Sequence, residues 1–196
     1  MNGSLETVDD RPALRFERRL DHPVERVWRA ITEPAELARW FVDAVEWKPE
    51  AGEVFEARGQ TGEVTELELP HLIAWIFGAD LFRFELRPAG DGCLLVFTHV
   101  FDDRALGAQQ AAGWEAYLNR LDSHLAGEFL SEEAAHEVVP ELHERYAERF
   151  GLDPEVGRRT IAAMQATASN ATSAKHYRQA QQADPVIEEF RAPRDG

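Results

Sequence analysis

Apolar residues along this chain recur with two periods, and each change of period marks an element. In ALRFERRL (13–20), Leu14, Phe16 and Arg18 alternate with Arg15, Glu17 and Arg19, which predicts a strand closed by the Asp-His-Pro at 21–23. Helical spacing follows at once. Val24, Val27, Trp28 and Ile31 fall at i, i+3, i+4 and i+7, with Pro23 as the expected first helical residue and Asp21 or His22 as its cap. TEPAELARWF (32–41) repeats the device: Thr32 is the expected cap, Pro34 the start, and Leu37, Trp40 and Phe41 the buried face. Each helix is too short to be stable alone, so both need a surface to lie on.

From residue 43 the period returns to two. DAVEWKP (43–49) and EVFEARG (53–59) flank a turn at Glu50, Ala51 and Gly52; EVTELELP, HLIAWIFG, LFRFELRP and CLLVFTHVF follow, which predicts about six strands in meander order besides the first. In LFRFELRP, Phe82, Phe84 and Leu86 alternate with Arg83, Glu85 and Arg87, as expected of a sheet with one wet face. Strands this closely spaced, with no helices between them, exclude a doubly wound parallel sheet.

After DDRALG (102–107) the period becomes helical for one long run starting near Ala108. Trp114, Tyr117, Leu118, Leu121 and Leu125 share one face, with Glu115, Arg120 and Asp122 on the other, and this helix is the expected cover of the sheet. Residues 131–150 form a further amphipathic stretch with Val138, Leu142, Tyr146 and Phe150 at spacing four, and Asp153 with Pro154 signals another helix start. The expected class is therefore α+β, with a flexible N-terminus at 1–12, a domain at 13–130, a helical extension at 131–168 and a flexible or loosely docked tail at 169–196.

Charge sharpens this division. The formal net charge of -15 argues against duplex nucleic acid and anionic membrane surfaces as partners, since both demand clustered positive charge. Residues 151–196 carry six acidic and six basic side chains, so the whole excess lies in residues 1–150. The single cysteine, Cys93, permits no intramolecular disulfide and no CxxC site. No signal-peptide pattern or long apolar run is present, and the expected location is the cytoplasm.

The order strand, two short helices, antiparallel strands and long helix, with HPVERVWRAITEPAELARWF near the start, Thr98-His99 on the last strand and Gly113-Trp114 on the long helix, resembles the START-like helix-grip superfamily. Within it the chain is similar to the bacterial form of the family of the C-terminal domain of the Hsp90 ATPase activator, over residues 13–127. The resemblance implies a curved sheet wrapped around the long helix, with an apolar cavity beneath the two short lid helices. Superfamily members bind lipids, sterols, polyketides and hormones there, and a few are cyclases. It also implies a chaperone of Hsp90 type as a further partner.

The candidate cavity residues are Trp28, Trp40, Phe41, Trp75, Phe84, Phe97, His99, Trp114 and Tyr117. Aromatics on a lid supply broad apolar area with few rotatable bonds, and the same residues also suit plain core anchors. His99 is in phase with Leu95, Phe97 and Phe101 on the last strand; a buried structural histidine, a polar anchor for a ligand and a proton shuttle are its three readings. His136 and His143 stand seven apart, too far for a helical metal pair, and HExxH, GxSxG, P-loop and GxGxxG patterns are missing. No metal, cofactor or catalytic residue is assigned. Two classes fit: a non-enzymatic protein, monomer or homodimer, binding a small hydrophobic ligand, or a polyketide cyclase or dehydratase using the same cavity.

Overall fold

The computed structural model describes residues 3–41, 47–57 and 60–163. The chain divides into two compact units, Met1–Arg158 and Arg159–Gly196. Of the second, residues 159–163 are described and are helical. The expected tail at 169–196 lies outside the described residues.

The first unit is built on strands Ser4–Val8 (β1), Arg11–Leu20 (β2), Val54–Ala57 (β3), Gln60–Glu68 (β4), Leu72–Phe77 (β5), Asp80–Ala89 (β6) and Gly92–Val100 (β7). They form one antiparallel, curved sheet in the order β1-β2-β7-β6-β5-β4-β3, so the first hairpin joins the meander through β7. Helices Val24–Thr32 (α1) and Pro34–Trp40 (α2) follow β2, and Gly107–Leu125 (α3) follows β7. This is the helix-grip architecture.

Register explains how one face becomes apolar. Across the sheet Trp75 pairs with Phe82, Phe82 with His99 and His99 with Leu14. One step along, Ile73 pairs with Phe84, Phe84 with Phe97 and Phe97 with Phe16. Two cross-strand rows of large side chains therefore lie on the face that α3 covers, and each such pair contributes roughly 0.2–1 kcal/mol beyond alanine. The opposite face of β6 carries Arg83, Glu85 and Arg87, tied by ion pairs at 3.0 Å (Arg87 to Glu85) and 2.5 Å (Arg83 to Glu85).

Several expectations need correction. Residues 4–8, expected to be flexible, form β1, because Asp9 and Asp10 (φ 48° and 63°) make the two-residue turn whose twist suits a hairpin. Pro23 is the cap of α1 rather than its first residue, and neither Asp21 nor His22 caps it, since α1 starts at Val24 with no side-chain cap bond. Thr32 does not cap α2; its hydroxyl donates to the Trp28 carbonyl within α1, and Glu33 caps instead. Of the expected strand at 43–49, residues 43–46 lie outside the described residues and 47–49 are not a strand.

The stretch 131–150 is two helices, Glu132–His136 (α4), capped by Ser131, and Val139–Phe150 (α5). Two of the three residues on the expected polar face of α3 do not face solvent. Glu115 is buried because α5 packs on it, and Arg120 is buried against the Leu130 carbonyl and the end of α2. Tyr146 of α5 donates to Glu115 and accepts the Gly3 N–H at 2.9 Å, while Arg145 pairs with Glu115 at 3.0 Å. One buried carboxylate thus ties α3 and α5 together, with β1 joined through Tyr146. Burial and the Glu115 contact together push the Tyr146 hydroxyl well above its ordinary pKa.

Candidate functional site

Eight of the nine candidate residues are brought into one aromatic cluster beneath α2. Trp40 contacts Phe41 (ring centroids 5.4 Å) and Phe84 (6.3 Å). Phe84 contacts Trp75 (5.6 Å) and Phe97 (4.5 Å), and Phe97 contacts Trp114 (4.2 Å). Phe41 stacks on Trp114 at 5.9 Å and meets Tyr117 at 6.2 Å. The ninth, Trp28, is buried in α1 but makes no ring contact with the others among the described residues. The rings touch one another in the region beneath the lid where the resemblance implies a cavity.

The lid's adjacent aromatics divide the work. Trp40 is 1% exposed and its indole N–H donates to the Ala30 carbonyl at 2.8 Å, fastening α2 to α1. Phe41 and Tyr117 are only half buried and form the outer end of the cluster at the seam between α2 and α3. A three-residue tie holds this seam. Glu36 of α2 accepts from Arg26 of α1 at 2.7 Å and from His124 of α3 at 2.6 Å. Burial raises the Glu36 carboxyl, but the bonds from His124 and Arg26 outweigh it, and the net is a pKa below the ordinary carboxylate value.

His99 is the polar centre of the cluster, 1% exposed and stacked on Phe82 at 4.5 Å. The Trp114 indole N–H donates to its Nδ1 at 3.0 Å. An indole can only donate, so Nδ1 carries no proton; the proton sits on Nε2, which donates to Asp80 Oδ2 at 2.9 Å. One donor and one acceptor thus fix a single neutral tautomer, with both ring nitrogens committed.

Sequence reasoning missed Trp47, Asp80 and Arg120 here. Trp47 is buried, donates to the Thr32 carbonyl at 2.8 Å and extends the cluster through Trp75 at 5.5 Å; it had been placed on a strand. Phe82, whose alternation with Arg83 marks it as core or cavity wall, joins Trp75, His99 and Trp114. Asp80 and Arg120 gave no signal, because one stands at a turn and the other on a nominally polar helix face.

Cys93, also buried, has its thiol pushed up to about 11 by that burial and is no nucleophile at neutral pH. Two surface depressions, of about 470 and 390 Å³, lie elsewhere and are lined largely by charged side chains such as Glu144 and Arg145, or Arg18 and Asp122. Among the described residues no cluster of three or more metal-ligating side chains occurs, and no helix is long and apolar enough to cross a membrane.

A family model described as "Activator of Hsp90 ATPase homolog 1-like protein" matches residues 21–126. CalU16 from Micromonospora echinospora is similar in structure, with 25% identity, 74% of this chain and 94% of that chain covered, and a TM-score of 0.61. EF2215 from Enterococcus faecalis, a conserved protein of unknown function, shares the fold at 20% identity over 75% of this chain and 89% of its own, with a TM-score of 0.63. BPP1335 from Bordetella parapertussis does so at 24% identity, 78% and 92% coverage and a TM-score of 0.58. No curated protein matches the chain.

Proposed function

Because this chain belongs to the Activator of Hsp90 ATPase homolog 1-like family, with the helix-grip fold, we propose that it is a non-enzymatic binding protein whose aromatic cluster beneath α2 receives a small hydrophobic ligand. The observation that carries this reading is the state of His99. It is the polar centre of an otherwise aromatic site, and both its nitrogens are spent on Trp114 and Asp80. A proton shuttle needs a nitrogen within reach of the substrate. This one is enclosed, which favours binding over the cyclase or dehydratase alternative.

The ligand enters by parting Phe41 and Tyr117, the half-buried rings at the α2–α3 seam, and stacks between them and Trp114 behind. Burying roughly 300 Å² of apolar ligand surface yields about 7 kcal/mol before association costs, which leaves an affinity of millimolar order once those costs are met.

The test is a titration of the intact chain with an apolar fluorophore, followed by quenching of tryptophan emission and by chromatography of the recovered ligand. Saturable quenching with the ligand returned unchanged is expected, and Phe41→Ala should weaken binding several-fold without unfolding the protein. Absence of saturation contradicts the binding reading. Chemical conversion of the ligand replaces it with the enzymatic one.

A further inference from the structure

Arg120 is a buried cation with no ion pair among the described residues. It lies on α3 one turn beyond Tyr117 and is 6% exposed. Its Nε donates to the Leu130 carbonyl at 3.2 Å and its Nη2, weakly, to the Arg39 carbonyl at the end of α2, 3.4 Å away. Its Nη1 is buried and has no hydrogen-bond partner among the described residues. The guanidinium stays protonated under all ordinary conditions, so the charge cannot be shed by titration.

Three acids of the surrounding elements are engaged elsewhere. Glu36 is held by Arg26 and His124, Glu115 by Arg145 and Tyr146, and Glu132 accepts from the Tyr117 hydroxyl at 3.1 Å. Carbonyl oxygens offset part of the charge but not all of it, and a buried charge left uncompensated is costly.

The position of this cation gives it a use. Its guanidinium carbon stands 5.9 Å from the centre of the Tyr117 ring, and Tyr117 in turn meets Phe41 and Trp114. The guanidinium that carries the unspent Nη1 therefore stands beside Tyr117, at the outer end of the aromatic cluster.

We propose that Arg120 is the anion subsite of the aromatic site, and that the ligand is an apolar molecule bearing a carboxylate: its hydrophobic body lies among Phe41, Trp114 and Tyr117, and its carboxylate accepts from Arg120 Nη1. The proposal rests on the hydrophobic-ligand reading above and narrows it to a chemical class. Arginine suits the task because its N–H groups lie in one plane and match carboxylate oxygens at hydrogen-bond distance. The net charge of -15 disfavours anions at long range, so the selectivity arises at the buried contact, where screening by salt is weak.

Pyrene-1-carboxylate and pyrene-1-carboxamide share one apolar body and differ in charge. Each is titrated into the intact chain at neutral pH, with binding read by energy transfer from the tryptophans. The wild type should bind the carboxylate at least tenfold more tightly than the amide. Arg120→Met should bring the carboxylate down to the level of the amide. Equal affinity of the two probes for the wild type overturns the anion subsite and leaves the hydrophobic-ligand reading standing. A carboxylate preference undiminished in a folded Arg120→Met variant overturns the assignment to Arg120. Failure of both probes to saturate overturns the hydrophobic-ligand reading itself. Should Arg120→Met fail to fold, the wild-type comparison still decides whether charge is recognised, and Arg120→Lys, expected to keep a reduced preference, tests the residue.

Discussion

Trp114→Phe isolates the bond that fixes His99. The substitution keeps an aromatic ring on α3 but removes the N–H that reaches His99 Nδ1, leaving an acceptor on a side chain only 1% exposed with no donor. An orphaned buried acceptor costs about 1–3 kcal/mol. Losing part of the indole against Phe97, Phe82 and Phe41 adds about 1 kcal/mol of lost packing. The expected total is about 2–4 kcal/mol, which at 2–4 °C per kcal/mol lowers Tm by roughly 5–15 °C. Asp80→Asn is the control. Asp80 is one-third exposed, and the asparagine carbonyl still accepts from Nε2, so that change should cost under about 1 kcal/mol. Urea unfolding monitored by far-UV circular dichroism, with the double mutant closing the cycle, measures all three. A Trp114→Phe variant within about 0.5 kcal/mol of wild type would show that His99 does not depend on the indole, and the tautomer argument would fail.

Three further outcomes follow from the same contacts. Gly92→Ala should destabilise by about 1–3 kcal/mol in urea, because its Cβ would stand 2.1 Å from the Leu20 carbonyl oxygen and backbone yields little; unchanged stability would mean that the β2 and β7 ends separate freely. Cys93, with its thiol pushed up to about 11, should react with a disulfide reagent at about pH 8 only as fast as the protein opens, and immediate reaction would place it at the surface. Glu36, whose carboxyl is held below its unfolded value, contributes stability that is present above about pH 4.5 and lost as pH falls through the folded pKa; the gap between wild type and Glu36→Gln should therefore narrow from about pH 6 to about pH 3.5, and a gap independent of pH contradicts the α2–α3 tie.

The fold was legible in this sequence wherever one face of an element is buried and the other wet. Phe82, Phe84 and Leu86 against Arg83, Glu85 and Arg87 fixed both the strand and its inner face, and the in-phase placement of His99 with Phe97 followed from the same arithmetic. The first hairpin was illegible because Asp-Asp is not a strong turn signal, and only the positive φ angles reveal it. The face of α3 bearing Glu115 and Arg120 misled for a different reason. Polarity marks solvent only when no second layer arrives: α5 brings Tyr146 and Arg145 to meet Glu115, and the Leu130 segment with the end of α2 covers Arg120. Of the site, the aromatics were readable as apolar mass. The hydrogen bonds that give His99 its tautomer and Arg120 its unspent N–H depend on tertiary placement, which periodicity does not encode.

Nuclear Overhauser contacts between the bound pyrene-1-carboxamide and the protein's aromatic side chains test the central claim most directly. The neutral probe reports the apolar site independently of Arg120. Contacts from the pyrene protons to the rings of Phe41, Trp114 and Tyr117, with the His99 Nε2–H resonance retained, are the predicted result. Contacts confined to the charged depressions around Glu144 or Asp122, or none to those three rings, would contradict it.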